Sequence, residues 1–322
     1  MVFAIVDNDL LKTIRWDLRI IMILYKYRTD SERTEQIITK HQLWFATPDS
    51  LNDPLECSIQ EIAKTNIEEF CRNEKQEQLE GFIFTYTFSN DDQLLWGLPK
   101  SRVQKVLDQI RKAKKFRDKY KVYSEFIKWR TGNYPSSPRA KYAMVHELLS
   151  KVGILSLSQK CQEELMWSHY ADGGRGIAIG FVVPEGESLT ATSACMPVNY
   201  SDEIVIMKDR LKTILNFTYD EVGRQKFYQT PAFDDPFLLS VVTTKNTCWK
   251  YEQEWRCVEK TAGLKVIDKP VAEIIFGPKC PQEIRAKYVA LVREHCTEPV
   301  NLYEIKIVGR KYEKLPLTEE KV

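Results

Sequence analysis

Apolar positions recur along the chain with two periods, and the switches between them predict a mixed fold. Ile20 to Tyr27 is a run of β-branched and aromatic residues, as in a buried strand, and a mixed helical stretch from Asp9 to Arg19 precedes it. Arg28 stands at the strand's exit. A short helix through Ile37 and Ile38 and a second strand, Leu43 to Ala46, lead into Thr47-Pro48-Asp49-Ser50-Leu51-Asn52-Asp53-Pro54, which is dense in turn formers. Proline disfavours the α region for its predecessor, so Asp53 is expected in an extended or turn conformation, with Glu56 within reach of the bend. A polar helix follows around Ile62 to Glu80. The alternation Phe82, Phe84, Tyr86, Phe88 then predicts a strand with one aromatic face.

From about 90 to 150 the pattern turns helical. Residues 100–121 hold ten Lys/Arg against two Asp, while Val103, Val106, Leu107 and Ile110 recur on one side of an amphipathic basic helix. An aromatic-rich stretch to Trp129 and the breaker Asn133-Tyr134-Pro135-Ser136-Ser137-Pro138 end it. Beyond lie predicted strands at 152–157, 176–183, 196–200, 238–244, 254–259, 271–276 and 302–308. Helices are expected at 203–227 and 281–294. The fold class expected is α+β: one domain over 1–322 with a mixed, largely antiparallel sheet core and a helical, basic insertion at about 90–150.

Composition narrows the possibilities. With 43% hydrophobic and 29% charged residues, 13 Gly and 14 Pro, the 322-residue chain is an ordinary globule, neither disordered, collagenous nor coiled coil. A net charge of +2 excludes polyanion binding on bulk charge, so any basic site is local. Ile20 to Leu24 is far too short to cross a bilayer; a soluble, unprocessed, cytoplasmic protein with no membrane partner is expected. Eight cysteines without a CxxC pair or zinc spacing are expected to be reduced, and the four dispersed His suggest no metal. No phosphate loop, GxSxG elbow, HExxH helix or EF-hand loop is present. Gly173-Gly174-Arg175-Gly176 precedes its strand instead of following one, the wrong order for a dinucleotide-binding turn.

Three blocks concentrate side chains suited to chemistry. Glu163 to Gly176 crowds Trp167, His169 and Tyr170 onto a helix end before a glycine turn that feeds the strand Ile177 to Phe181. There His169 is the group that would titrate near neutrality; alternatively Trp167 and Tyr170 pack the sheet and His169 bonds a carbonyl. In Cys248 to Cys257, read as a strand, Glu252, Glu254 and Arg256 share one face. That face is either a solvated surface with a weak ion pair or the wall of a cleft, where Glu254, kept ionised by Arg256, stabilises a developing cation. In the third block Arg28 offers a planar fork for phosphate or carboxylate, and Tyr25 or Tyr27 a ring to stack on. Its alternative is a structural pair with Asp53 or Glu56.

In order, Tyr25 to Arg28, Phe45 to Pro48, Asn52 to Glu56, Met166 to Phe181 and Trp249 to Arg256 resemble a bacterial family of unknown function, domain of unknown function twenty-nine seventy-one, over about residues 22–280. An early strand-borne Arg and a late Glu-x-Glu strand look in turn like the layout of ADP-ribosyltransferases, which are common among bacterial conflict and phage-defence systems. That resemblance implies NAD as substrate. It would put Arg28 at the phosphates or ribose, Tyr170 or Trp167 against nicotinamide and Glu254 on the nicotinamide ribose; His169 and Glu252 are expected to be catalytic with Glu254, and Tyr25, Asn52, Ser158 and Arg256 to bind the cofactor. The Ser-Thr-Ser strand common in Arg-specific members is not evident, and Ser156 and Ser158 substitute for it only in part. The expected function is thus an NAD-consuming transferase that takes a small-molecule nucleotide. Two alternatives are a nucleic-acid-binding or Mg²⁺-dependent nuclease-like protein using residues 100–121 with Asp53, Glu252 and Glu254, and a non-catalytic ligand sensor.

Overall fold

The computed structural model describes residues 21–53, 55–57, 59–184, 189–190, 195–203, 205, 211–219 and 225–317. The expected helix at Asp9 to Arg19 and the position of Pro54 lie outside them. Chain contacts divide the protein into two compact units, one drawn from Met1–Cys57, Ser150–Glu203 and Val242–Val322, the other from Ser58–Leu149 and Ile204–Val241.

The first unit is built on an eight-stranded sheet. Its strands are β1 (Ile21–Arg28), β2 (Gly153–Ser158), β3 (Ile177–Pro184), β4 (Cys195–Pro197), β5 (Glu254–Glu259), β6 (Val271–Phe276), β7 (Asn301–Val308) and β8 (Lys311–Pro316). Across the sheet the order is β8-β7-β6-β3-β1-β2-β5-β4, and all pairs are antiparallel except β6 with β7. The fold class is α+β, as the periodicity predicts. Three helices belong to this unit: α1 (Glu32–Thr39), α2 (Glu164–Tyr170) and α3 (Gln282–His295), the last lying between the parallel strands β6 and β7, as a parallel crossover requires.

Alternation along β1 sets its two faces. Leu24 joins a core with Ile38, Phe45, Leu155, Phe181, Phe276 and Tyr288, whereas Tyr25 and Tyr27 join Met166, Trp167, Ala178 and Ile275 in a second cluster. Lys26 and Arg28 therefore project with Leu24, away from the two tyrosines. The glycines before β3 serve close approach. Gly173 and Gly174 take positive φ (+61° and +89°), and a Cβ on Gly176 would lie 2.1 Å from the Arg28 carbonyl oxygen. This glycine turn thus braces the end of β1.

The second unit is largely helical, with helices Ile59–Phe88, Lys100–Lys112 and Phe116–Thr131 meeting around Leu79, Phe82, Val103, Leu107, Ile110, Tyr123 and Phe126. Residues 82–88 are helical, contrary to the alternation. Leu79, Phe82, Ile83 and Tyr86 pack into this core at helical spacing, while Phe84 and Phe88 are 62% and 72% exposed, so the every-other-residue aromatics do not share a face. The stretch expected as a helix at 203–227 contains instead the antiparallel strands Thr213–Tyr219 and Gln225–Pro231, and Thr-Ile-Leu-Asn-Phe-Thr-Tyr has the β-branched and aromatic content to favour them. The stretch expected as a strand at 238–244 is the helix Pro236–Thr243. Its start is fixed by proline at the first turn and by Asp235, whose Oδ1 accepts from the amides of Phe237 (2.9 Å) and Leu238 (3.1 Å).

The cysteines depart from expectation too. Cys195 on β4 faces Cys257 on β5 in register, with Cα atoms 4.2 Å apart, and the two are joined by a disulfide. Directly facing antiparallel residues approach to about this distance, which a pattern of sequence spacings does not encode.

Candidate active-site cleft

One cleft of about 260 Å³ opens in the first unit against β1, β2 and the start of β5. Around it stand Lys26, Arg28, Trp44, Asn52, Tyr170 and the acidic residues Glu56, Glu252 and Glu254. Tyr25 and Ser158 also border it.

A buried charge cluster forms its floor. The Lys245 ammonium lies 2.8 Å from Glu56 Oε1, 2.6 Å from Glu252 Oε2 and 3.1 Å from Glu254 Oε2. Arg256, fully buried, donates from Nε to Glu254 Oε1 (2.8 Å), from Nη2 to Glu56 Oε2 (2.5 Å) and from Nη1 to the Val242 carbonyl (2.7 Å). Three carboxylates thus meet two cations from three separate stretches of chain. Desolvating such groups costs several kcal/mol each, so the cluster persists only because nearly every lone pair and proton is matched.

Local structure explains how the cluster assembles. Residues 247–252 form a 3₁₀ turn, not the strand expected from Cys248 onward, and Gln253 takes a left-handed conformation (φ 42°) before β5 begins at Glu254. Strand alternation then puts Glu254 and Arg256 on one face, while Ser158 donates to the Glu252 carbonyl (2.7 Å) and holds the preceding turn. Tyr200 accepts from the Glu254 amide (2.8 Å). Lys245 arrives on the short strand Thr244–Lys245, which pairs in parallel with Asn199–Tyr200.

The two acids of Glu-x-Glu titrate in opposite directions. Burial by itself would raise the Glu254 carboxyl; the Arg256 guanidinium and Lys245 overcome this and bring its pKa down to about 2. For Glu252 burial prevails over Lys245 and the Tyr170 hydroxyl, and its pKa is raised. Paired carboxyls pushed apart in this way are suited to unlike roles. Tyr170 donates to Glu252 Oε1 (2.6 Å) and accepts from the Asn52 amide (2.7 Å), so one phenol links the cleft rim to its floor. On the opposing wall Lys26 donates to the Ser156 carbonyl (2.8 Å), and burial, followed by the nearby Arg28 guanidinium, lowers its pKa to about 8. Arg28 donates to Thr34 on α1 (3.3 Å).

Several expected site residues are elsewhere. His169 is exposed on α2 and does not border the cleft. Trp167 is 1% exposed, edge-on to Tyr27, with its indole N–H bonded to the Cys161 carbonyl (2.8 Å), so its ring belongs to the core. Tyr25 does border the cleft, but its hydroxyl is turned to Glu273 (3.0 Å) and its ring joins the second core cluster. Asp53 accepts from the Leu55 amide (2.9 Å) within its own turn, and Arg28 is not paired with it or with Glu56. Glu56 instead serves Arg256 and Lys245. Among the described residues no three His, Cys, Asp or Glu are grouped to hold a metal ion; the space between Glu56, Glu252 and Glu254 is taken by the Lys245 ammonium.

Residues 166–257 match the family model described as Protein of unknown function (DUF2971). This bears out the family resemblance over that stretch. No curated protein and no solved structure matches the chain. The DUF2971 segment supplies Tyr170, Lys245, Glu252, Glu254 and Arg256, whereas Lys26, Arg28, Trp44, Asn52 and Glu56 come from the sequence before it. The floor's arginine and two of its glutamates belong to the Tyr-Glu-x-Glu-x-Arg motif. Lys245 and Tyr200 carry no such mark, since a lone lysine after the apolar run Phe237–Val242 reads as a strand exit.

Proposed function

We propose that the cleft binds the nicotinamide riboside end of NAD and that the protein transfers the ADP-ribosyl group to an acceptor nucleophile. The observation that carries this reading is the convergence of Lys26 and Arg28 from β1 with Glu252 and Glu254, more than two hundred residues later in the chain, around one cleft.

The charge layout fits the chemistry. Glu254, held ionised by Arg256 and Lys245, presents its carboxylate at the floor, and Lys26 and Arg28 stand half-buried on a wall. A phosphate favours the cationic wall, and a ribosyl carbon gaining positive charge favours the acidic floor. As the bond from the ribose anomeric carbon to nicotinamide breaks, the electron pair leaves with the neutral base. Glu254, held ionised, stabilises the oxocarbenium-like sugar, as a carboxylate does in glycoside cleavage, until the acceptor attacks the same carbon and gives its proton to solvent. Tyr170 and Trp44, which is 42% exposed and carries the Arg33 guanidinium over one face (4.7 Å), are the aromatic rings suited to meet a planar base. At about 260 Å³ the cleft is smaller than the roughly 300–1,000 Å³ of sites that enclose a whole drug-sized ligand, which suits one nucleoside end with the remainder lying outward.

The test is nicotinamide release from NAD by the purified full-length protein, with and without candidate macromolecular acceptors. Glu254→Gln should lower kcat by about a hundredfold or more, and Arg28→Ala should act mainly on KM. No release by the wild type, or equal release by Glu254→Gln in a protein that melts normally, removes the reading.

A further inference from the structure

The second unit carries a separate concentration of charge. Residues 100–131 contain twelve Lys and Arg against Asp108, Asp118 and Glu125, in a chain whose total charge is +2. Among the described residues, the ion-paired members of the twelve are Lys100 (to Asp91, 3.0 Å) and Arg111 (to Asp108, 3.7 Å). Most of the others are exposed, including Arg102, Lys105, Lys112, Arg117 and Lys121, while Lys128 bonds Tyr134 and Arg130 the Trp96 carbonyl.

Between the helices Lys100–Lys112 and Phe116–Thr131 runs a groove of about 400 Å³. Val106, Gln109, Lys121, Val122, Phe126 and Trp129 border it. Trp129 is 66% exposed, its ring centre lies 6.0 Å from that of Phe126, and it shares the groove's lining with Lys121. The acid on the groove, Glu125, accepts from the Tyr134 hydroxyl (3.1 Å), and that phenol also accepts from Lys128 (3.0 Å).

We infer that this surface binds a single-stranded nucleic acid, with unstacked bases on Trp129 and in the groove and phosphates on the surrounding lysines and arginines. Charge complementarity selects a polyanion, and an exposed aromatic ring among cations is the arrangement that tracks a strand whose bases offer their faces. A duplex hides those faces within its stack. An anionic membrane matches the charge but not the packing, because the apolar side of both helices (Val103, Leu107, Ile110, Tyr123, Phe126) is already buried in the unit's own core. The inference is independent of the chemistry assigned to the cleft.

Fluorescence anisotropy of the full-length protein with a labelled thymidine strand of about 20 nucleotides tests it. If about four phosphates are contacted, raising monovalent salt fourfold should weaken binding about fifty-fold. Lys105→Glu combined with Lys121→Glu should flatten that salt dependence and reduce affinity more than tenfold. Trp129→Ala should reduce affinity about tenfold with the salt slope unchanged, and Trp129→Phe, which keeps a ring and controls for folding, should restore most of the loss. Absence of binding at low salt, equal affinity for a duplex of the same length, equal retention on phosphatidylserine vesicles, or a Trp129→Ala protein that binds like the wild type would each overturn the inference.

Discussion

The two units handle charge in opposite ways. Under the cleft, Glu56, Glu252, Glu254, Lys245 and Arg256 are withdrawn from water and nearly every polar atom has a partner; along residues 100–131 most of the cations are exposed, and among the described residues few of them are ion-paired. Buried pairs fix geometry and shift pKa values, and salt screens them little. Exposed, unpaired cations fix no geometry and create a field that salt removes. The same residue types therefore serve as a positioning device in one unit and as an attractive surface in the other. The comparison also ranks what substitutions should do.

The largest effect is expected at Arg256. Its removal leaves Glu254 and Glu56 buried beside Lys245 as their remaining cation, and breaking a buried pair from one side costs about 3–5 kcal/mol. Arg256→Ala should lower the midpoint of urea or thermal unfolding well outside error. Wild-type stability in that variant would show that the cluster is wetter than its geometry implies. A smaller effect follows from Lys26. Its pKa is lowered from 10.5 to about 8, first by burial and then by Arg28, so in the folded protein its charge is lost as pH rises through about 8. Between about 8 and 10.5 the unfolded chain holds the extra proton, so this group makes stability rise with pH there, and Lys26→Met should remove that increment. On the proposed function, KM for NAD should rise over the same range and Lys26→Arg should flatten the rise. An unchanged pH profile in both variants would take Lys26 out of the ligand's reach.

Much of this was legible in the sequence where one residue type has one use. Tyr-Lys-Tyr-Arg on an apolar run gave β1 and Arg28, and Glu252, Glu254 and Arg256 are together as their spacing suggests, although a 3₁₀ turn and a left-handed Gln253 deliver Glu252 in place of a continuous strand. What failed had two readings locally. Phe82 to Phe88 alternates as in a strand, yet Leu79, Phe82, Ile83 and Tyr86 satisfy a helix of thirty residues, and length decided. Phe237–Val242 is apolar enough for either state, and the Asp235-Pro236 cap decided. Lys245, Glu56 and the Cys195–Cys257 link depend on contacts between distant segments, for which no local pattern exists. Trp167 and His169 depart from the expected cleft for a simple reason: on one short helix, neighbouring side chains point to different sides, so Trp167 enters the core, His169 meets solvent and Tyr170 reaches the cleft.

The smallest effect is the sharpest control on the contrast. Lys105 lies on the solvent side of its helix, opposite the buried Val103 and Leu107, and has no ion pair among the described residues. Lysine and alanine are both good helix formers, so Lys105→Ala should move stability by no more than about 0.5 kcal/mol. If the basic surface acts through its field, the same substitution should still weaken oligonucleotide binding severalfold at low salt, and the difference should shrink as salt rises. The decisive quantity is therefore a ratio: one lysine, almost no change in the melting curve, and a salt-dependent change in binding. A Lys105→Ala protein that loses stability as Arg256→Ala does would mean that this helix uses its cations for folding, and the distinction between positioning charge and attracting charge would fail at its plainest point.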